Sequence, residues 1–393
     1  MADARLPLRC LHTNIKFSTL GGAQSILRAH HQHDAEVGLD SRFLVYLEPP
    51  DSTWSRARFV DFNWDWSLRR TRNRIRTLLQ DFKPDVSVYH TTLAMPYLAD
   101  LDRSPRRLLY LHGPLPVLEE QLASRKFWVD GVMAVSDELL NLARSIAPHW
   151  ELERFHRIYA PIFPPSIPVN PGRPAGKPLV LGYSGRLQVE DKRVDRLPDL
   201  CRQLEAAGVD FRFEILGDGP ERTTLEQALP DRTRVVFHGL QTGDAYWRIL
   251  SQWDAIVFLS DREGTPVAQL EAMSLGVLPV VPSVHSGADA YARRVNEGLV
   301  YPIGDLGALT RLIRQLTDPG TPWSTWRRAA RNMLAAHDSR CYLEGFASFI
   351  RDIVEMPAAP RRPFPAQPFP VGFLPLKAMA PLAEWRRRLR RLG

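Results

Sequence analysis

The chain has 393 residues, 44% of them hydrophobic and 24% charged, and a net charge of +7. That length exceeds one ordinary domain and suits two of about 150–200 residues each. No apolar run approaches the ~20 residues of a membrane-spanning helix. From Arg351 onward nine basic residues face three acidic ones, so the body is nearly neutral and a nucleic-acid-binding surface is not expected. Cys10, Cys201 and Cys341 are odd in number and far apart, which fits thiols in a reducing compartment better than a disulfide frame or zinc site. Met1 to Arg9 shows no basic region leading into an apolar stretch, so no secretory signal and a cytoplasmic location are expected.

In chain order, short apolar runs at Leu6 to Leu11, Phe43 to Leu47, Val86 to Tyr89, Leu108 to Leu111 and Val132 to Val135 predict buried strands. Helix-length segments fall between them, among them Gly22 to His33 and Leu68 to Asp81. Alternation of this kind predicts a parallel, doubly wound α/β sheet. Gly21-Gly22-Ala23-Gln24 follows a strand and opens a helix, where glycine lets backbone approach a ligand closely; a plain turn is the alternative. Seven prolines between 160 and 178 cannot continue a helix or central strand and predict a linker. The expected division is residues 1–165, a linker at 166–178, a second domain at 179–335, and a terminal helix, proline-rich segment and basic tail at 336–393.

The second half repeats the pattern. Strands are predicted at Leu179 to Tyr183, Phe211 to Leu216, Val235 to His238, Ala255 to Leu259 and Leu278 to Val281, with helices at Asp195 to Ala207, Glu221 to Ala228 and Val267 to Leu275. Ligands of such sheets lie beyond the carboxyl ends of the strands. The first strand runs into Ser184-Gly185-Arg186, with Lys192 six residues on; arginine offers a planar fork for phosphate oxygens and lysine a point charge. Gly217-Asp218-Gly219-Pro220 is a turn of low specificity without the spacing of a dinucleotide fingerprint. Phe237-His238-Gly239 ends a strand where backbone groups could read a nucleobase edge, the His238 side chain being more in keeping with a structural role.

The densest feature is Glu263-Gly264-Thr265-Pro266, followed by Leu270-Glu271-Ala272-Met273. Thr265-Pro266 predicts a helix start with proline at its first position. The free amides and dipole there suit an anion such as pyrophosphate. Glu263 before the helix and Glu271 inside it could flank that anion and accept hydrogen bonds from hydroxyls; an ordinary capped helix with surface glutamates is the alternative.

Taken in order, Gly-Arg-Leu, Lys192, Gly-Asp-Gly-Pro, Val-Phe-x-Gly and Glu-Gly-x-Pro-x-x-x-Leu-Glu-Ala-Met resemble retaining glycosyltransferase family 4 from about residue 180 to 318. The resemblance implies a GT-B fold, two Rossmann-like domains facing a central cleft, the first on the acceptor side. It implies that Arg186 and Lys192 contact the donor diphosphate, Glu263 the donor sugar and Glu271 the ribose. Gly21 and Gly22 resemble the family's glycine loop, and His112-Gly113 its cleft histidine, which touches donor sugar or phosphate. Tyr159-Ala-Pro161 departs from the family's usual Asn-Gly-Val-Asp. The expected activity is transfer of a sugar from a nucleotide sugar to a glycan or lipid-linked acceptor with retention, in the manner of bacterial surface polysaccharide or glycolipid assembly. No cofactor and no metal are expected; Asp100-Leu-Asp102 has the spelling of a metal motif but follows an expected helix end. A non-catalytic two-lobed nucleotide or sugar binder and a GT-B epimerase are the alternatives.

Leu382, Trp385, Leu389 and Leu392 form a helical stripe with five arginines between them, a pattern suited to an anionic membrane surface, as is Trp64 to Arg76. A tail helix packed on the protein is the alternative. RNA binding is not expected, because no aromatic platform accompanies the arginines.

Overall fold

A computed structural model describes residues 6–14, 17, 22–61, 65–90, 101–102, 104–112, 129–164 and 176–359, with backbone alone at 68, 335 and 336. Gly21, Gly113, Asp100, most of the expected linker and the stripe at 382–392 lie outside the described residues.

Seven strands form the first sheet: β1 (Leu8–Asn14), β2 (Leu39–Val45), β3 (Ala57–Phe59), β4 (Val86–Tyr89), β5 (Arg106–Leu111), β6 (Gly131–Ala134) and β7 (Phe155–Arg157). Six form the second: β8 (Leu179–Ser184), β9 (Phe211–Leu216), β10 (Val235–Gly239), β11 (Ala255–Val257), β12 (Leu278–Pro282) and β13 (Val300–Tyr301). The spatial orders are β3-β2-β1-β4-β5-β6-β7 and β10-β9-β8-β11-β12-β13. Every neighbouring pair is parallel. The inner strands are wholly buried, as in β4, β6 and β11. Helices cover both faces of such sheets, so these strands read as apolar runs without alternation. The predicted pair of doubly wound α/β domains is what the chain forms.

The helices that matter for the site are α1 (Gly22–His33), α2 (Leu68–Leu78), α6 (Gly243–Leu250), α7 (Val267–Ser274), α8 (Gly287–Val295), α10 (Trp323–Asn332) and the last, α11 (Ser339–Glu355). Between them come α3 (Asp137–Ile146), α4 (Leu197–Ala206), α5 (Arg222–Ala228) and α9 (Leu306–Gln315). Helix α11 returns to the first domain. Arg106 Nε donates to Ile353 O at 2.9 Å, and Arg351 Nη2 to Val37 O at 2.6 Å. A Cβ on Gly131 would meet Ile353 Cδ1 at 2.9 Å, so β6 and α11 touch through a glycine. The two crossings between domains run side by side: Ile162 and Asp338 form an isolated parallel bridge, and Ile162 N donates to His337 O at 3.0 Å. His337 Nδ1 bonds Ala160 O at 2.7 Å and its Nε2 takes the Tyr291 hydroxyl at 2.6 Å, tying both crossings to α8. Tyr159, in the departing segment, lies under Arg157 at 4.0 Å.

Core packing fixes the second sheet. Trp253 is fully buried, and its ring occupies the place of a side chain at Gly182, where a Cβ would come within 2.0 Å. Arg327 of α10 forms a buried ion pair with Asp254 at 2.7 Å, anchoring that helix to the foot of β11.

Candidate functional site

In both sheets the strand order reverses between the first and fourth strands, β1 and β4 in one, β8 and β11 in the other. A crevice opens outside the carboxyl ends at such a switch point. The two carboxyl edges face each other. Gly22 opens α1 and Val267 opens α7, and a Cβ on Gly22 would meet Val267 Cγ2 at 2.9 Å. Two helix N-termini, each the positive end of a dipole, therefore meet across the domains.

Glu263 lies in the loop after β11. Its carboxylate accepts from Lys192 Nζ at 2.7 and 2.9 Å and from Ser260 Oγ at 2.5 Å. Lys192 belongs to the loop after β8, so the pair spans the switch point. Its side chains are 21% and 6% exposed, which leaves the ammonium the more accessible partner. Separate roles for these residues follow from the resemblance; the structure shows them as one unit.

Glu271, inside α7, accepts from the Tyr246 hydroxyl at 2.6 Å, and that hydroxyl lies 3.4 Å from Ser184 Oγ at the end of β8. Burial pushes the Glu271 carboxyl up, and the bond from Tyr246 opposes this. Ahead of both carboxylates in chain order, at the end of β8, comes Gly185-Arg186. The Arg186 side chain is exposed and has no carboxylate partner among the described residues. Tyr183 donates to Arg186 O at 2.8 Å, fixing the turn. Burial and then the Glu263 charge push the Tyr183 phenol up while Arg186 pulls it down, so both charged groups bear on one ring.

The Gly217 loop supports this turn. Gly217 has φ of +139°, and a Cβ there would lie 1.9 Å from Gly185 O. One at Gly219 would lie 2.3 Å from Leu187 O. Leu187 N in turn donates to Asp218 O at 2.9 Å, so the two loops pack backbone on backbone.

Helix α7 begins at Val267, as the segment Val267 to Leu275 predicted, but Pro266 precedes the helix instead of taking its first position. Pro266 has ψ of 122° and is the residue before the helix, because the amides of Gln269 and Leu270 both bond its carbonyl. The amides of Val267 and Ala268 precede that ladder and have no acceptor within the helix. Gly264 O accepts from Ala288 N at 3.0 Å and Ser286 Oγ at 2.9 Å, which fastens the loop to α8. Thr265 packs against Gly287, where a Cβ would meet Thr265 Oγ1 at 2.0 Å.

At the strand end Phe237-His238 both side chains are engaged within the second domain, as a structural role for His238 requires. His238 Nε2 bonds Glu214 at 3.1 Å, and Gln241 Nε2 takes the His238 carbonyl at 2.8 Å. The Phe237 ring carries Arg232 at 5.0 Å. Asp102 accepts from the Tyr89 hydroxyl at 2.7 Å and from Ser104 N at 2.9 Å inside the first domain.

On the first domain's edge, His112 follows β5 and its Nε2 lies 2.9 Å from His90 Nδ1. His90 Nε2 lies 2.9 Å from His12 Nδ1. Of this cluster the sequence pointed to His112 alone, and His90, His12, His30 and Asp34 went unread. The only signal was that three of the four histidines, His12, His90 and His112, sit just beyond predicted strands. His12, His30 and Asp34 are fully buried and close enough together to hold a cation.

Residues 178–318 match the family described as glycosyl transferases group 1. The chain is 32% identical over 192 residues to the putative colanic acid biosynthesis glycosyltransferase WcaL of Salmonella typhimurium, covering 45% of this chain and 46% of that protein. It is 34% identical over 132 residues to a GDP-mannose-dependent alpha-mannosyltransferase of Mycobacterium tuberculosis, 34% of this chain and 32% of that one. The chain thus spans less than half the length of these curated relatives. Anabaena Alr3699/HepE, solved with UDP and glucose, superposes with a TM-score of 0.68 at 15% identity, covering 88% of this chain and all of that one. The fold is GT-B, and the resemblance carried by the motifs holds over the second domain.

Proposed function

We propose that the chain transfers a sugar from a nucleotide-diphosphate donor to a glycan or lipid-linked acceptor with retention of configuration. The observation that carries this is the Lys192–Glu263 pair at the switch point, with exposed Arg186 beside it. A relative named for colanic acid biosynthesis and a GT-B structure holding UDP support surface polysaccharide assembly and a nucleoside-diphosphate donor.

Arg186, Lys192 and the amides of Val267 and Ala268 offset charge that grows on the departing diphosphate, a preorganised term that is often the largest in catalysis. Glu263 then exchanges part of its bond with Lys192 for a donor-sugar hydroxyl. Because that carboxylate is already held by Lys192 and Ser260, it is not a free nucleophile, and the two-carboxylate hydrolase scheme is the wrong template. Retention follows from attack of the acceptor on the face that the diphosphate leaves. The two cations stand in for a metal, so transfer in excess EDTA is expected to match that in magnesium; a chelator-sensitive rate that magnesium restores contradicts this. Nucleotide-release assays after a thermal-shift screen of UDP-, GDP- and ADP-sugars test the function itself. Binding without release points to the non-catalytic reading, and no stabilisation by any nucleotide sugar sinks both.

Glu271 holds the ribose in this scheme, and it does so at a cost to the fold. A carboxyl pushed up by burial is better tolerated protonated, so its favourable contribution is present at low pH and is lost as pH rises above the ordinary carboxylate range. Glu271→Gln is therefore expected to raise Tm at pH about 7 more than at pH about 4, while nucleotide-sugar affinity falls. A lower Tm at neutral pH, or unchanged affinity, contradicts the assignment.

The enzyme is proposed to work at the cytoplasmic face of a membrane. No helix among the described residues is long and apolar enough to cross one. Helix α2 buries Thr71 and Ile75 and exposes Arg69, Arg70, Arg74 and Arg76, and the basic stripe at 382–392 adds to that charge. The full chain is expected to co-sediment with anionic vesicles more than a chain ending near Pro357; equal, negligible binding removes the membrane contact from the proposal.

A further inference from the structure

Behind His112 runs an unbroken line of buried groups. The Asp34 carboxylate, with no exposed surface, takes His30 Nδ1 at 2.7 Å and the Ser41 hydroxyl, and faces His12 Nε2 at 3.3 Å. His12 Nδ1 meets His90 Nε2 at 2.9 Å, and His90 Nδ1 meets His112 Nε2 at 2.9 Å. Burial lowers the affinity of His12, His90 and His112 for a second proton, to about 4 for His12 and about 3 for His112, so each ring is neutral at pH 7. Burial alone would raise Asp34, but the neighbouring histidines outweigh it and keep the group a carboxylate.

A neutral imidazole has one donor and one acceptor nitrogen. A carboxylate accepts only, so His12 Nε2 carries its proton toward Asp34. Cys10 Sγ, 3.4 Å from the same nitrogen, cannot donate to it without setting a lone pair against the carboxylate. His12 Nδ1 is then an acceptor, His90 Nε2 a donor, His90 Nδ1 an acceptor and His112 Nε2 a donor. The last atom, His112 Nδ1, is left with a bare lone pair. It is buried and has no hydrogen-bond partner among the described residues.

We propose that Asp34, His12 and His90 are positioning residues that set the tautomer of His112, so that its Nδ1 accepts a hydroxyl proton at the cleft and turns away phosphate oxygen. The source of that hydroxyl, a donor sugar, rests on the proposed function; the tautomer does not. A cation held by His12, His30 and Asp34 would reverse every bond in the line, since a metallated His12 Nε2 makes Nδ1 the donor and ends with an N–H on His112. Hydrogen bonds already satisfy the atoms that such an ion would take. The unpaired atom is at the opposite end.

The test is a long-range ¹⁵N–¹H correlation spectrum of the full chain labelled at histidine, with His112 assigned by loss of its signals in His112→Gln. The expected result is a single tautomer protonated at Nε2 and bare at Nδ1. His90→Phe keeps the ring and removes both nitrogens, and it should turn His112 into a mixture of tautomers. A protonated Nδ1 in the wild type, a stoichiometric bound metal, or an unchanged single tautomer in His90→Phe overturns the proposal. If that variant does not fold, the wild-type spectrum and metal content still decide. None of these outcomes depends on turnover, so the failure of sugar transfer and the failure of the relay are separable.

Discussion

Replacing Lys192 by alanine is expected to lower sugar transfer by about 10²- to 10³-fold, the loss that follows removal of one preorganised electrostatic partner of a leaving group. Glu263→Gln should do comparable damage, because the carboxylate holds Lys192 and, on the proposed function, meets the donor sugar. Since the two act as one unit, the double variant should be little slower than either single one. Stability should behave differently. Lys192→Ala leaves the 6% exposed Glu263 carboxylate without its cation, whereas Lys192→Ala with Glu263→Gln removes both charges. The double variant should therefore melt at a higher temperature than Lys192→Ala alone while remaining inactive. Near-normal transfer in either single variant contradicts the site, and additive rate losses contradict the unit.

Gly217→Ala is expected to cost about 3 kcal/mol or more of stability, because strain at an unfavourable φ and overpacking against rigid backbone each contribute about 1–3 kcal/mol. The obstacle is a carbonyl oxygen 1.9 Å from the new Cβ, not the end of a flexible side chain. Relief requires the Gly185 turn to move, and that turn carries Arg186. Nucleotide affinity should therefore fall with stability, as denaturant melts and equilibrium titration would show. A variant with wild-type affinity and a wild-type midpoint would mean that the two loops are not packed as described.

Much of the fold was legible because the inner strands are buried on both faces, so that Val86 to Tyr89 stands out as a short buried run with the bounds the structure gives it, as does the less uniform Phe211 to Leu216. Strands β3, β7 and β13, two or three residues each, were missed, because nothing so short shows a period. The return of α11 to the first domain was also not legible: its apolar face says that it packs, not on which domain. The second domain's candidate residues stood close together in motifs, and Glu263, Lys192 and Glu271 were nominated that way. That Lys192 pairs with Glu263, and Glu271 with Tyr246, depends on which strands adjoin, which no local spacing encodes. His238, expected from the sequence to be structural, bonds Glu214. The histidine line was invisible for the same topological reason. Its members come from β1, α1, the turn after α1, and the ends of β4 and β5.

Capture of a pyrophosphate by cations at the switch point is tested most directly by equilibrium binding of nucleoside diphosphates. UDP and GDP would be titrated into the wild type and into Arg186→Gln, with the matching nucleosides as controls. The account expects the better diphosphate to bind at least about 10-fold more weakly to the variant, the loss of one charge-assisted bond, with nucleoside affinity unchanged. Equal diphosphate affinity in the two proteins would contradict it.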